Sequence, residues 1–279
     1  MADLNGKVAL VTGAGRHRGL GRAIALRLAE DGANLVVTGL HREPHEQPVN
    51  EQEMGWTGVH SLAAEIEAMG QQALAFECDL TDKASVDDLV QAGAKKFGKI
   101  DILVNNAAVP SGAGSASILD MDDELWYRTV DVNLNSVYLL TKAAGRVMRE
   151  RKDGGIIINI SSTAGRRGFP DYGAYCATKF GIIGLTQQCA AEMARYGIRV
   201  NCIAPGSHTT DMIDGTIGRT AAKIGISTDE FRSMIKSAAL MQRQGAPSEL
   251  AAAVSFLAGA DSSFVTGQTL NVDGGAYLS

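Results

Sequence analysis

Short apolar runs punctuate the chain at 8–12, 35–38, 73–76, 102–104, 156–160, 199–203 and 269–272, and segments with helical periodicity fill the intervals. The helical pattern covers 20–31, 58–69, 83–97, 122–150, 172–196 and 248–258. Strand and helix in strict alternation read as βαβ units. The runs are apolar at nearly every position, which requires burial on both faces. The pattern therefore predicts an α/β, doubly wound, mostly parallel sheet of seven strands with helices on each side. No Pro/Ser-rich linker interrupts 1–279, so one domain is expected. In such sheets ligands bind beyond the carboxyl ends of the strands, and the loops that leave those ends are where chemistry is expected.

The first of these loops, Thr12-Gly-Ala-Gly-Arg-His-Arg-Gly-Leu-Gly21, opens an amphipathic helix. Gly13, Gly15, Gly19 and Gly21, with Leu20, let the backbone turn sharply toward a pyrophosphate, which the helix N-terminus attracts through its unpaired N–H groups and dipole. A tight structural turn is the plain alternative; the position between strand one and a helix favours a dinucleotide. Strand two ends Val36-Val37-Thr38-Gly39-Leu40, with no carboxylate before Glu43. Arg16, His17 and Arg18 in the glycine loop, and His41 and Arg42 after strand two, supply positive charge. A carboxylate there would favour a ribose 2′-hydroxyl and basic residues a 2′-phosphate, so the charge pattern favours NADP over NAD, the alternative being that Arg16 and Arg18 are only solvated loop charges.

Tyr175 and Lys179 lie one helical turn apart and share a face. A phenol is a poor acid or base at neutral pH, and an adjacent positive charge favours the phenolate. Ser162 lies thirteen residues before Tyr175 at the end of a strand, with Ser161 as its competitor. Strand alternation favours Ser162. A hydroxyl there would hold a substrate carbonyl while Tyr175 donates or accepts its proton. Tyr172 is the nearest decoy, but four residues on it meets Cys176.

Composition removes other classes. The net charge is -5, which gives no broad basic surface for nucleic acid. The four cysteines, at 78, 176, 189 and 202, lie in apolar periodic segments without ligand spacing and read as buried reduced thiols of a cytoplasmic protein. No charged-then-apolar leader and no apolar run of spanning length is visible, so a soluble protein without a membrane partner is expected. His41 and His45 fall in a Pro-containing loop with no third ligand nearby, so no metal is expected. The Asn159-Ile-Ser161 sequon sits on a buried strand. No G-x-S-x-G elbow precedes the serine, which argues against a hydrolase.

From Gly6 to Asp273 the chain resembles the short-chain dehydrogenase/reductase family. The resemblance rests on the glycine turn, Asp79-Leu80, Asn105-Asn-Ala-Ala108, Asn133, Ser162, Tyr175 with Lys179, Pro205-Gly206, and the segment from Gly267 to Gly275. It implies a Rossmann fold and hydride transfer between NADP(H), or alternatively NAD(H), and a small-molecule secondary alcohol or ketone. Asp79 and Leu80 would then meet the adenine, and Asn106 and Ala107 would line the cofactor. Pro205-Gly206 would face the nicotinamide. Lys179 would lower the Tyr175 pKa and bind the nicotinamide ribose, and Asn133 would hold a water linking Lys179 to solvent. An Asn satisfied by backbone is the alternative for Asn133. The resemblance also implies a homotetramer paired through 122–150, 172–196 and the C-terminal strand region.

Two features depart from the family pattern. Five residues, not three, separate Gly13 from Gly19, and a polar insert at 41–57 follows strand two, placed to fold beside the adenosine end. His208 stands where relatives carry an aliphatic residue. Its backbone is expected at the carboxamide with Thr210 near the pyrophosphate, and its imidazole is either near the substrate or a spectator. Residues 207–244 form a candidate lid with apolar side chains. The alternatives to a general alcohol/ketone oxidoreductase are a 3-oxoacyl-thioester reductase and, from another class, a silent nucleotide-binding sensor or scaffold.

Overall fold

A computed structural model describes residues 2–111 and 116–278. Seven strands, β1 (Val8–Thr12), β2 (Asn34–Gly39), β3 (Ala73–Glu77), β4 (Ile102–Asn105), β5 (Gly155–Ile160), β6 (Ile198–Pro205) and β7 (Thr269–Val272), form one sheet in the order β3-β2-β1-β4-β5-β6-β7. All six pairings are parallel. The sheet is thus fully parallel within one Rossmann-type domain.

The apolar runs divide between two cores as a period of two requires. Ala9 and Val11 of β1, Leu35 and Val37 of β2, and Ile102 and Val104 of β4 enter one core. Helices α1 (Leu20–Glu30), α3 (Val59–Ala68) and α10 (Pro247–Ala258) close that core. Val8 and Leu10, Val36, and Leu103 enter the other, beneath α4 (Lys83–Phe97), α6 (Ser136–Arg151) and α7 (Gly173–Met193). Full burial of each such side chain contributes roughly 1.5–3 kcal/mol, so both faces demand helices.

The helix expected over 122–150 is divided. Residues Asp123–Val130 form α5, Asp131–Asn135 form a π-helical turn, and α6 follows. Asn133 occupies that turn and is fully buried. Such bulges insert a residue and re-aim a side chain. The insert after β2 forms a short helix α2 (Val49–Glu53), and the segment after β6 carries α8 (Asp211–Ile224) and α9 (Thr228–Ser237).

Strand order reverses between β1 and β4, and the glycine turn leaves β1 there. Gly13 has φ of 66°, and a Cβ on it would stand 2.6 Å from the Ala107 Cα. At Gly21 a Cβ would meet Ala14 Cα and Asn106 Nδ2 at 2.8 Å each, with the Gly13 oxygen nearer still. At Gly15 the nearest atoms would be 3.9 Å away. Gly21→Ala is therefore expected to lower unfolding free energy by about 1–3 kcal/mol, while Gly15→Ala changes it by less than about 0.5 kcal/mol. Denaturant unfolding of the two variants checks the contrast.

Candidate active site

The junction of β1 and β4 is held by side chains. The Thr12 hydroxyl accepts from the Asn106 and Ala107 amides at 3.0 and 3.1 Å. Asn106 Nδ2 donates to the Thr12 and Gly13 carbonyls at 2.8 and 3.1 Å. Asn106 and Ala107 thus set the shape of the glycine turn. Its helix α1 begins at Leu20 after Gly19, with no side-chain cap and no acidic residue in the first turn. Those uncapped N–H groups suit an anion, so the residues present fit a dinucleotide's pyrophosphate.

A second cluster lies past the carboxyl end of β5. Ser161 donates to the Lys179 carbonyl at 2.7 Å and is buried, so it pins α7 to the strand. Ser162, the next residue, accepts from the Ala164 amide at 3.1 Å, and its hydroxyl opposes the rise in the Tyr175 pKa. The two serines therefore divide into a structural and a cleft-facing one. Tyr175 is half-buried, with Tyr172 packed edge-on at 6.3 Å between ring centroids.

Lys179 is 2% exposed. Its Nζ donates to the Ile160 carbonyl at 2.9 Å and lies 5.5 Å from the Tyr175 ring centroid. Burial pushes the ammonium down to about 8 and the Tyr175 phenol up to about 12, a rise that the Ser162 hydrogen bond opposes. The expected lowering of Tyr175 by Lys179 is not what sets its direction: desolvation does. A nearly buried ammonium bonded to one carbonyl is costly, and such cost concentrates at functional sites.

Asn133 differs from expectation in what its side chain does. Its Oδ1 accepts from the Val109 amide at 2.8 Å and its Nδ2 donates to the Val109 carbonyl at 3.2 Å. The side chain holds the loop after β4 in place.

Residues assigned to the cofactor line the same edge of the sheet. Asp79 follows β3 and accepts from the Thr81 amide at 2.9 Å, and Leu80 beside it is buried. Arg42 is exposed beyond β2. Pro205 ends β6, and the Gly206 amide donates to Val272 at 3.0 Å. The Thr210 hydroxyl caps α8, accepting from the Ile213 amide at 3.4 Å. The His208 ring is 3% exposed, with Nδ1 3.2 Å from the Gly206 carbonyl, and it packs so closely on Gly245 that a Cβ there would lie 2.8 Å from it. Burial lowers its pKa. The imidazole is therefore a packing element, and the reading in which it reaches substrate is set aside.

Sequence reasoning missed the partners of the glycine loop. Trp56 donates from Nε1 to the Gly15 carbonyl at 2.7 Å, and the buried Glu51 accepts from the His17 amide at 2.8 Å. Arg18 is ion-paired, with Asp211 at 3.1 Å and Asp214 at 3.0 Å. The one available signal was a tryptophan in an otherwise polar insert. His41, weighed as a ligand, pairs with Glu77 at 2.8 Å and Glu43 at 3.2 Å.

A family model described as enoyl-(acyl carrier protein) reductase matches residues 13–277. The 3-oxoacyl-(acyl-carrier-protein) reductase FabG of Haemophilus influenzae is 37% identical over 276 residues, covering 99% of this chain and all of that one (100%). Among solved structures, a variant of actinorhodin polyketide ketoreductase with NADPH superposes with a TM-score of 0.87 at 34% identity, covering 99% of each chain. Carveol dehydrogenase from Mycobacterium avium in complex with NAD gives 0.88 at 29% identity, again over 99% of each chain. A glycine turn at the β1–β4 junction, the Ser162–Tyr175–Lys179 cluster and full-length similarity to such enzymes agree: the chain belongs to the short-chain dehydrogenase/reductase family, oxidoreductases that act on alcohol and carbonyl groups with a nicotinamide cofactor.

Proposed function

We propose that the protein interconverts a secondary alcohol and a ketone, with Tyr175 as general acid/base, Ser162 as the group that holds the substrate oxygen, and Lys179 and Asn133 in support. The observation that carries this reading is the buried Lys179 ammonium, its Nζ 5.5 Å from the Tyr175 ring centroid, at the carboxyl end of β5 where Ser162 stands. The nicotinamide, when bound, supplies or accepts the hydride. Ser162 donates its hydroxyl to the substrate oxygen. A phenol held near 12 is fully protonated at neutral pH, so in reduction the proton is already in place for the developing alkoxide. Lys179 bonds the cofactor ribose and carries positive charge beside the phenol, which eases proton loss in the oxidative direction. The lone Ile160 carbonyl leaves its other N–H donors for that purpose. Asn133 fixes Val109 and so one wall of the cleft.

Gly13, Gly15, Gly19, Leu20 and Gly21 would cradle the pyrophosphate with Thr210 nearby, Asp79 and Leu80 the adenine, and Pro205, Gly206 and the His208 backbone the nicotinamide end. NADP(H) remains the favoured cofactor on two observations: Gly39 ends β2 where a carboxylate would face the ribose, and Arg42 stands exposed beyond it. Arg18 contributes less, being engaged by Asp211 and Asp214. Reduction of a 3-oxoacyl thioester is a second reading, supported by Met212, Ile224, Met234, Leu240 and Met241, apolar yet exposed on and after α8 and α9, which suit an acyl chain. Exposed Tyr127, Tyr138 and Phe180 on α5 to α7, with Phe264 and Leu270 near β7, support a homotetramer. Four free cysteines suit a reducing, cytoplasmic setting.

Tyr175→Phe is expected to lower turnover by about 10²–10⁴-fold with cofactor affinity retained, read as reduced-nicotinamide absorbance against a panel of ketones and alcohols. In the same assay NADPH should give the higher kcat/KM, and Arg42→Ala should narrow its ratio to NADH. A silent sensor would bind cofactor and turn over nothing in either protein.

Lys179→Met should abolish turnover yet leave the fold more stable at neutral pH. The folded chain gives up the Lys179 proton near 8 and the unfolded chain near 10.5. Between those values the unfolded state binds more protons, so stability rises with pH. Below 8 the burial cost is in full force, on the order of 3 kcal/mol. The stability gap between Lys179→Met and the wild type should close as pH rises from 8 to 10.5, which thermal unfolding of both proteins measures. A gap independent of pH refutes the burial argument.

A further inference from the structure

The two departures from the family pattern meet in space. Trp56 and Glu51 of the 41–57 insert bind the lengthened glycine loop at the Gly15 carbonyl and the His17 amide. Arg22 from α1 lies over the Trp56 ring at 5.5 Å from its centroid, and the His17 ring meets it edge-on at 5.0 Å. The loop in turn holds α8. Arg16 bridges Glu51 at 3.4 Å and Asp211 at 3.7 Å. Arg18 reaches both Asp211 and Asp214, and the Asp211 amide donates to the Arg18 carbonyl at 3.1 Å. Asp214 also takes Arg232 of α9 at 2.9 Å. On its far side α8 is tied to the loop before α7 by Lys223 and Asp171 at 2.7 Å.

We propose that the insert is a brace for the phosphate-side loop, and that Arg16 and Arg18 latch that loop to α8, so that the dinucleotide enters and leaves only when this latch opens. The proposal rests on the dinucleotide-binding reading above. Three arginines, Arg16, Arg18 and Arg232, face three carboxylates, Glu51, Asp211 and Asp214, so the cluster is balanced without any phosphate. The latch thus joins the loop that leads into the uncapped α1 N-terminus, where the pyrophosphate is read to sit, to the start of α8. Glu51, Trp56, Asp211 and Asp214 are thus positioning residues that act through the loop. The Arg18 side chain is 47% exposed and that of Asp211 16%, so each pair is modest and salt weakens it.

The test follows release of prebound NADPH, or NADH if that binds more tightly, by its fluorescence after mixing with excess oxidised cofactor. The Asp211→Asn/Asp214→Asn double variant should release cofactor about five-fold faster, the range that part-exposed ion pairs support. Its release should also depend less on salt than that of the wild type. Glu51→Gln, which keeps an acceptor for the His17 amide but loses the charge facing Arg16, should show a smaller acceleration. Slower release in the double variant would mean that the carboxylates only compete with phosphate for the arginines, and it would overturn the latch, as would an unchanged rate. Failure of the wild type to bind either cofactor would overturn the functional reading itself. Hydrogen exchange on the wild type needs no variant: residues 14–19 and 211–224 should lose protection together as salt is raised. Loss in one segment alone overturns the coupling.

Discussion

The carboxyl ends of β1 and β4 are joined by two side chains, and the remainder of the site is built outward from that joint. Thr12 receives two amides with one hydroxyl, while Asn106 spends its amide on the two carbonyls that begin the glycine turn. These are buried main-chain groups in a place where strand pairing has ended and no water is guaranteed. Leaving them unmet would cost about 1–3 kcal/mol each. Satisfying them fixes the turn, and the turn fixes where α1 points its uncapped end.

A second polar chain performs the same service one strand over. Asn105 donates to Asn159 at 2.8 Å, its register partner on β5, and Asn159 donates to Thr186 of α7 at 2.9 Å. With Ser161 on the Lys179 carbonyl, this chain holds α7 against β5. The helix bearing Tyr175 and Lys179 is thus set by buried hydrogen bonds, which are directional, and not by apolar packing alone. Directionality matters here because a buried ammonium tolerates no slack: a small shift would separate Lys179 from Ile160 and leave it unpaired in a low-dielectric interior.

Much of this was legible in the sequence. The seven strands and their parallel pairing follow from apolar runs too continuous for a half-exposed sheet, while Ser162, Tyr175 and Lys179 are singled out by the family resemblance together with the Tyr175–Lys179 spacing. What escaped was decided by contacts between distant segments. A π turn at Asn133 has no periodic signature in one sequence, since a single extra residue in a helix only shifts the phase. His208 looked like chemistry because of its residue type, yet its ring fills the space left by Gly245, 37 positions on. The acidic partners of Arg18 lie on α8, far along the chain, so no local signal announces them.

The lengthened loop and the insert were read as separate departures because nothing local links them. Physically neither stands well alone. Ordering two extra loop residues costs about 2–4 kcal/mol at roughly 1–2 kcal/mol each. A polar insert of Glu, Gln, Asn and His has little apolar surface with which to hold itself against the sheet. Together they offset one another. The insert buries Trp56 under the loop and places Glu51 where it meets an amide and a guanidinium, and a hydrogen bond to a charged group contributes about 1.5–3 kcal/mol. The loop gains its shape from the insert, and the insert gains its anchor from the loop. Shortening either one alone would strand the other, which makes the pair a single structural unit at the mouth of the cofactor cleft.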